Sequence, residues 1–303
     1  MKRKQYVWFD GKFVDFAEAK VHVLTHSLQY GSGIFEGIRA YKAKEGTAVF
    51  RLKEHVKRFF NSAEIYSMKL GIGQAEMKDA ILSTIKKNKL EECYIRPFGF
   101  YNDAHIGMNP LGKKVSVAIA AIYMGNYFKG KEKGIKCNIS SWQRINSLIL
   151  PPEAKASGNY LNSILASIEA IKSGADEAIL LSCGGVVAEG PGENIFLVQD
   201  GKLVTPSRSA DILLGITRDS IIKIAENKGL IVEEREVHRE ELYTSDEVFF
   251  TGTAAEITPI TTIDSRKVGN GAVGPITRML DKEFGEIVHG NNEEFSDWLT
   301  YVD

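Results

Sequence analysis

Residues 115–124, VSVAIAAIYM, are apolar at odd and even positions alike, so a strand built from them must be covered on both faces. Ten residues are too few to cross a membrane as a helix, which leaves a central strand in a layered sheet. CYIRPFGFY at 93–101 supplies a second strand just before it. At the N-terminus YVWF and KFVD flank Asp10-Gly11, a pair that favours the left-handed backbone of a two-residue hairpin turn. Between these strands Val56, Phe59, Phe60, Ala63 and Leu70 recur at helical spacing, and Met77, Ala80, Ile81, Thr84 and Ile85 repeat the pattern. The spacing predicts a small α/β domain over 1–125.

The next run, GNYFKGKEKG, has glycine and lysine but no period, and reads as an interdomain linker at 126–134. A second domain is expected over 135–303. Ile135, Cys137 and Ile139 alternate as a strand, and a helix from Asn159 to Lys172 is expected to turn Leu161, Ile164, Leu165, Ile168 and Ile171 inward. DEAILLS, GVVAEG, a hairpin turning at Asp200-Gly201, IVEEREV and EVFFTGTAAEITPI then follow as strands. One helix interrupts them, capped by Thr217, with Ile221, Ile222, Ile224 and Ala225 on its apolar side and Gly229 as its stop. The whole is an α/β (α+β) chain whose second domain is rich in strands.

Composition narrows the classes of partner. A net charge of −1 gives no basic surplus with which to neutralise phosphates, so nucleic acid is not expected and small molecules are. MKRKQYVWFDGKF meets charged and glycine residues before any apolar run long enough for a signal or membrane segment, which predicts a cytoplasmic protein. Cys93, Cys137 and Cys183 are odd in number and far apart, with no CxxC, so they suggest reduced thiols and no metal site.

Four segments of the chain carry chemistry. Lys155 lies in PPEAKASGNYLNS, where Pro151-Pro152 sets an extended approach and Ser157-Gly158 permits a tight turn. The following helix disfavours positive charge at this place and so favours the free amine. A surface lysine would need none of this. Glu189 and Glu193 share the turn EGPGEN and either carboxylate could reach a ring nitrogen; Glu189, at the end of an apolar strand, can be held rigidly against a ring, and Glu193 suits a role in supporting the turn. Gly215 precedes a helix start and leaves the N–H groups of Ile216 and Thr217 aimed outward as an anion site. TGTAAE adds the hydroxyls of Thr251 and Thr253 and the N–H groups of Thr253 and Ala254. A lysine amine, a carboxylate and anion sites together fit pyridoxal 5′-phosphate, held through the lysine, with the carboxylate facing the ring nitrogen and keeping it protonated. Arg58 could add its planar fork to the phosphate, or could pair with Glu54 one turn away. Glycines 31, 33 and 37 lack the spacing of a dinucleotide fingerprint and suit a close-packed strand beside Tyr30 and Phe35.

The runs YGSGIFEGIRAY, EHVKRFFNSAEIY, YIRP, GMNP, KASGNYLNS, AEGPGENIF, GITRDS and GTAAEITP resemble those of the branched-chain amino acid aminotransferases, fold-type IV pyridoxal phosphate enzymes, over nearly the whole chain. The resemblance implies a small N-terminal α/β domain and a larger pseudo-barrel domain with the cofactor between them. It implies that Lys155 forms the internal aldimine and serves as general base in a reversible ping-pong reaction. That reaction passes the amino group of leucine, isoleucine or valine to 2-oxoglutarate. Glu189 would pair with the pyridine nitrogen, Tyr160 with the phenolic oxygen, and Arg58, Ile216, Thr217 and Thr253 with the phosphate. Tyr94, Thr253 and Ala254 would meet the substrate α-carboxylate. Arg96, Tyr30 and Tyr127 would take the distal carboxylate of glutamate, against apolar walls from Phe35, Gly37 and Tyr160. Ile106 and Met108 would come from a neighbouring subunit, which implies a homodimer or a larger homo-oligomer up to a hexamer. Met124 stands where the resemblance leads one to expect tryptophan, and the softer side chain would loosen the pocket. A D-amino acid aminotransferase, an aminodeoxychorismate lyase and an (R)-selective amine transaminase are alternatives on the same fold. A non-catalytic cofactor-binding protein is an alternative of another class.

Overall fold

The computed structural model describes residues 5–125, 127–128 and 130–302, so two positions of the expected linker, 126 and 129, lie outside the described residues. By contacts the chain divides into one unit of Met1–Gly125, Ala154–Gly158 and Glu286–Asp303 and a second of Asn126–Glu153 and Asn159–Gly285. The two short returns, 154–158 and 286–303, are what a division into consecutive spans does not provide for. Residue 155 therefore belongs to the first unit by contacts.

In the first unit, strands β1 (Tyr6–Phe9) and β2 (Lys12–Asp15) form the expected hairpin, with Asp10 at φ 45° and Gly11 at φ 86°. Then come α1 (His26–Tyr30), β3 (Gly33–Phe35), β4 (Ile38–Ala43), β5 (Gly46–Phe50), α2 (Leu52–Ile65), α3 (Gln74–Asn88), β6 (Cys93–Tyr101) and β7 (Val115–Ile122). The sheet order runs from a C-terminal strand, Leu299–Tyr301, through β5, β4, β6, β7 and β1 to β2, with β3 also on β6. Strands β6 and β7 pair over eight residues, from Tyr94↔Ile122 to Tyr101↔Val115. Val117, Ile119 and Ala121 of β7 are buried in a core with Val56, Phe59, Ala63, Met77, Ile81 and Ile85 of the two helices. Helix α2 is shorter than its apolar spacing suggested: it stops at Ile65, Ser67 turns left-handed at φ 52°, and Leu70 packs from the loop beyond.

The second unit holds β8 (Ile135–Ile139), α4 (Tyr160–Lys172), β9 (Glu177–Leu181), β10 (Val187–Glu189), β11 (Asn194–Gln199), β12 (Lys202–Pro206), α5 (Ile216–Asn227) and β13 (Val232–Arg235). A one-turn helix α6 (Glu241–Thr244), β14 (Glu247–Gly252), β15 (Glu256–Ile263), β16 (Arg266–Lys267) and α7 (Pro275–Val288) complete it. The sheet order is β10-β9-β8-β15-β14-β11-β12-β13, with β16 on β15. Parallel pairs (β8 with β9 and β15, β12 with β13) mix with antiparallel ones, as an α+β domain requires.

Two expectations for this unit need correction. The cap of α5 is Gly215, not Thr217, which is the second residue of the helix. More consequentially, α4 does not turn its large side chains inward. Ser163, Ala166 and Ala170 occupy its buried side, whereas Leu161 (65%), Ile164 (51%), Leu165 (42%), Ile168 (46%) and Ile171 (64%) are exposed. Helical spacing identifies an apolar face but not what covers it, and here the small residues let the helix lie close to β9, against Ala178 and Leu180.

Candidate active site

In the first unit Lys155 is held by its backbone. Its N–H donates to Ser62 Oγ on α2 (3.0 Å), its carbonyl accepts from Phe35 N on β3 (2.9 Å), and Ala156 bridges Ile34 beside it. The lysine segment is thus pinned both to the sheet and to the helix. Its Nζ lies 5.3 Å from the centre of the Phe35 ring, and the Arg96 guanidinium lies 4.6 Å from that same centre. Arg96 also donates to Tyr94 Oη at 3.0 Å. The Tyr94 hydroxyl presses on Gly37 so closely that a Cβ there would collide with it, which explains glycine between β3 and β4. Lys155, Phe35, Gly37, Tyr94 and Arg96 are therefore one cluster.

Arg58 neighbours it through a different residue from the one considered in the sequence. Glu54 pairs with Arg51 (3.3 Å), and Arg58 grips Glu36 with two donors, Nε to Oε1 at 2.6 Å and Nη2 to Oε2 at 2.9 Å. His55 Nδ1 lies 2.8 Å from Glu36 Oε2, which fixes the Nδ1–H tautomer, and Gly37 N donates to the same oxygen at 3.3 Å. Glu36 and His55 are almost fully buried. Burial raises the Glu36 carboxyl, but Arg58 and then His55 outweigh it and hold the group far below the ordinary carboxylate range. Burial also lowers His55, against the pull of Glu36, which favours the neutral imidazole.

The second unit builds another buried carboxylate. Glu189, 4% exposed, lies with Oε1 2.7 Å from Arg144 Nε, and its Oε2 accepts from Asn194 Nδ2 (3.0 Å) and Leu213 N (3.1 Å). Asn194 does more than hold this carboxylate. Its Nδ2 also donates to Leu213 O (2.8 Å), and its Oδ1 fills the space a Cβ would take at Gly215, the N-cap of α5. One asparagine thus ties Glu189 to the helix start that exposes the N–H groups of Ile216 and Thr217. Glu193 supports the turn, accepting from Gly192 N at 3.0 Å and, through its carbonyl, from Gly190 N at 2.7 Å. That turn meets the other glycine-rich loop, since a Cβ on Gly252 would sit 3.4 Å from Gly192 O, and Thr253 and Ala254 follow half-buried. Tyr160 opens α4, also half-buried.

The chain matches the family described as Amino-transferase class IV over residues 33–263. The chain belongs to the class IV aminotransferases. It is 45% identical over 302 residues to a branched-chain-amino-acid aminotransferase of Pseudomonas aeruginosa, covering 99% of this chain and 98% of that relative. The crystal structure of the branched-chain amino acid aminotransferase of Escherichia coli is similar, with TM-score 0.97 and 43% identity, over 99% of this chain and 100% of the other. So is the T.th. branched-chain amino acid aminotransferase with pyridoxamine 5′-phosphate, with TM-score 0.95 and 44% identity over 99% of each chain. That neighbour has also been solved with N-(5′-phosphopyridoxyl)-L-glutamate and with 4-methylvaleric acid.

The sequence named some residues of this aminotransferase that the two clusters do not hold. Tyr30 ends α1 with its ring 4.6 Å from His26, Tyr127 stacks edge-on with Phe128, and Met124 is half-buried just past β7. Ile106 and Met108 are exposed at 73% and 79%. Conversely Glu36, His55, Arg144 and Asn194 were not singled out. Glu36 had one visible sign, a lone charge in the apolar run GIFEGI. Arg144 had none, because its partner lies 45 positions on and no local pattern links the two.

Proposed function

We propose that the enzyme is a pyridoxal 5′-phosphate-dependent transaminase. It passes the amino group of L-leucine, L-isoleucine or L-valine to 2-oxoglutarate, reversibly and in two half-reactions at one pocket. The observation that carries the reading is the Phe35 ring with Lys155 Nζ on one contact and the Arg96 guanidinium on another, at 5.3 and 4.6 Å. An aliphatic side chain packs on the ring, and a distal carboxylate meets the arginine, which otherwise rests on aromatic surface. The T.th. neighbour, solved with both a glutamate adduct and an aliphatic acid, supports that double use.

The residues present fit the cofactor. A buried carboxylate fixed by an arginine and an amide suits a protonated ring nitrogen, and the start of α5 suits a phosphate. Thr251 Oγ1, fully buried, has no hydrogen-bond partner among the described residues. When bound, pyridoxal phosphate supplies an electron sink for the charge left on the substrate Cα. Lys155 Nζ takes the Cα proton and later returns one. Glu189 holds a proton on the ring nitrogen, Tyr160 orients the phenolic oxygen, and Arg58, Ile216, Thr217 and Thr253 hold the phosphate. Tyr94, Thr253 and Ala254 orient the α-carboxylate.

The protein acts in the cytoplasm, with 126–134 linking its domains, and it works as a homodimer or larger homo-oligomer. The exposed side of α4 supports self-association. Trp142, Leu148 and Ile149 are exposed nearby on a loop that Asn162 and Glu169 tie to the helix, at 2.8 Å to Gln143 O and 3.0 Å from Ser141 N. With the five aliphatics they make eight large apolar side chains exposed on this helix and its loop, the kind of surface another chain covers. The Glu169 carboxylate on this helix is engaged by Ser140 Oγ and Ser141 N of the loop.

The test is the visible spectrum of the purified protein, read after L-leucine, L-glutamate and D-alanine are added separately. The yellow of the bound cofactor should bleach with the first two and persist with D-alanine. Bleaching by D-alanine alone would move the assignment to a D-amino acid aminotransferase.

A further inference from the structure

The reading above gives Arg58 a phosphate to hold but leaves unexplained the buried pair that holds Arg58. From the geometry we infer that Glu36 and His55 are positioning residues for phosphate recognition, fixing the plane of the Arg58 guanidinium before any anion arrives. The inference rests on that reading of Arg58 and extends it to two residues that touch neither cofactor nor substrate.

Each link is local. His55, Arg58 and Ser62 lie on one side of α2, three and four residues apart, and His55 and Arg58 meet Glu36, the residue just after β3. Ser62 takes the backbone of Lys155, while His55 and Arg58 take the Glu36 carboxylate. The fork from Nε and Nη2 to both carboxylate oxygens is the arrangement that fixes a guanidinium in direction as well as in place. A flexible arginine would lose rotamer freedom on meeting phosphate, and one already held in a fork loses less. His55 completes the clamp. Its Nδ1–H fills a lone pair on Oε2, and Gly37 N reaches the same oxygen, so the carboxylate is fixed from three sides. Glu36 also offsets the charge of Arg58, which is only 14% exposed on its side chain. Packing alone does not call for this arrangement, since an apolar residue at 36 would fill the space between Phe35 and Gly37 at lower desolvation cost.

The experiment separates phosphate from the rest of the cofactor. The full-length chain, stripped of cofactor, is titrated with pyridoxal 5′-phosphate and with pyridoxal, which lacks the phosphate, and its melting temperature is recorded. For Glu36→Gln the affinity for pyridoxal 5′-phosphate should fall roughly ten- to a hundredfold, as loss of a charge-assisted pair implies, with pyridoxal affinity unchanged. Should Glu36→Gln not fold, His55→Gln tests the same clamp from its other side, with a smaller loss again confined to the phosphate form. An unchanged preference for the phosphate form, or a parallel loss of both ligands, would overturn the inference. Arg58→Lys is the control for the underlying reading. If it too leaves the preference intact, Arg58 is not a phosphate ligand; if it alone reduces the preference, Arg58 stands and the clamp falls.

Discussion

Glu36 in the first unit and Glu189 in the second are both carboxylates buried to within a few per cent, and each is held by an arginine, a backbone N–H and one further side chain. They differ in where their partners come from. Glu36 draws on a single helix and on the residue beside it, whereas Glu189 draws on three separate segments, at 144, 194 and 213. A carboxylate held by one helix and its neighbouring backbone can transmit its geometry to the residue gripping it, and Arg58 is that residue. A carboxylate held from three segments is itself the fixed point, with other groups oriented around it. The contrast implies that one acts through its partner and the other acts directly.

The largest effect should come from Glu189→Gln. A neutral amide cannot keep a proton on the ring nitrogen, so kcat should drop by roughly a hundredfold while cofactor affinity changes little. Glu36→Gln should do the reverse, weakening cofactor binding while leaving kcat near normal once cofactor saturates. Steady-state kinetics at saturating pyridoxal phosphate, set beside cofactor titrations, read both quantities. If both variants lose kcat alike, the two carboxylates are not different in kind and the comparison fails.

That difference also marks what the sequence made legible. Glu189 stood out in the sequence because strand end, glycine turn and carboxylate adjoin in one compact run, AEGPGEN, and the structure buries that carboxylate among three partners. The turns were readable from residue type, as Asp10-Gly11 and Asp200-Gly201 show, and Val115–Ile122 does lie inside its sheet, but its cover is one-sided: Val117, Ile119 and Ala121 are buried, whereas Ala118 and Ala120 are only half-buried and Ile122 is exposed. Glu36, His55 and Arg144 escaped because their pairings join positions far apart, which leaves no periodic trace; Asn194 is only five residues from Glu189, and nothing in the run shows where its amide turns. Helix α4 failed in another way. Its period was right and its apolar face real, but the face that this chain buries is the one lined by Ser163, Ala166 and Ala170.

A middle-sized effect tests whether Glu189 is the fixed point. Asn194 donates to Glu189 and to Leu213 O, and its Oδ1 fills the space beside Gly215, so it connects the carboxylate to the start of α5. Asn194→Ala leaves a buried carboxylate short of one donor and opens a gap beside the anion site, at a cost of about 1–3 kcal/mol. Both kcat and affinity for the phosphate form should fall, by roughly tenfold each. A change in only one of them would mean that carboxylate and anion site are independent, and that the second unit is built no differently from the first.

The smallest effect is a dependence on pH that only the first unit should show. His55 faces Glu36 and Arg58, and Lys155 also bears on it; burial, the largest influence, lowers it below its ordinary 6.5. A histidine lowered in the folded state takes up more protons when unfolded, so its contribution to stability is complete above pH 6.5 and is lost as pH falls below it. Glu36, held far below its ordinary 4.5, has the same sign in a lower window, with stability present above 4.5 and lost as pH falls further. The named partners of Glu189 include no histidine, so its cluster supplies no step near 6.5. Denaturant midpoints measured across pH should therefore decline below 6.5 in the wild type, and the decline should flatten in His55→Gln while persisting in Asn194→Ala. A slope that survives His55→Gln would place the titrating group elsewhere and remove the reason for treating the Glu36 cluster as a charge-balanced clamp closed by a neutral histidine.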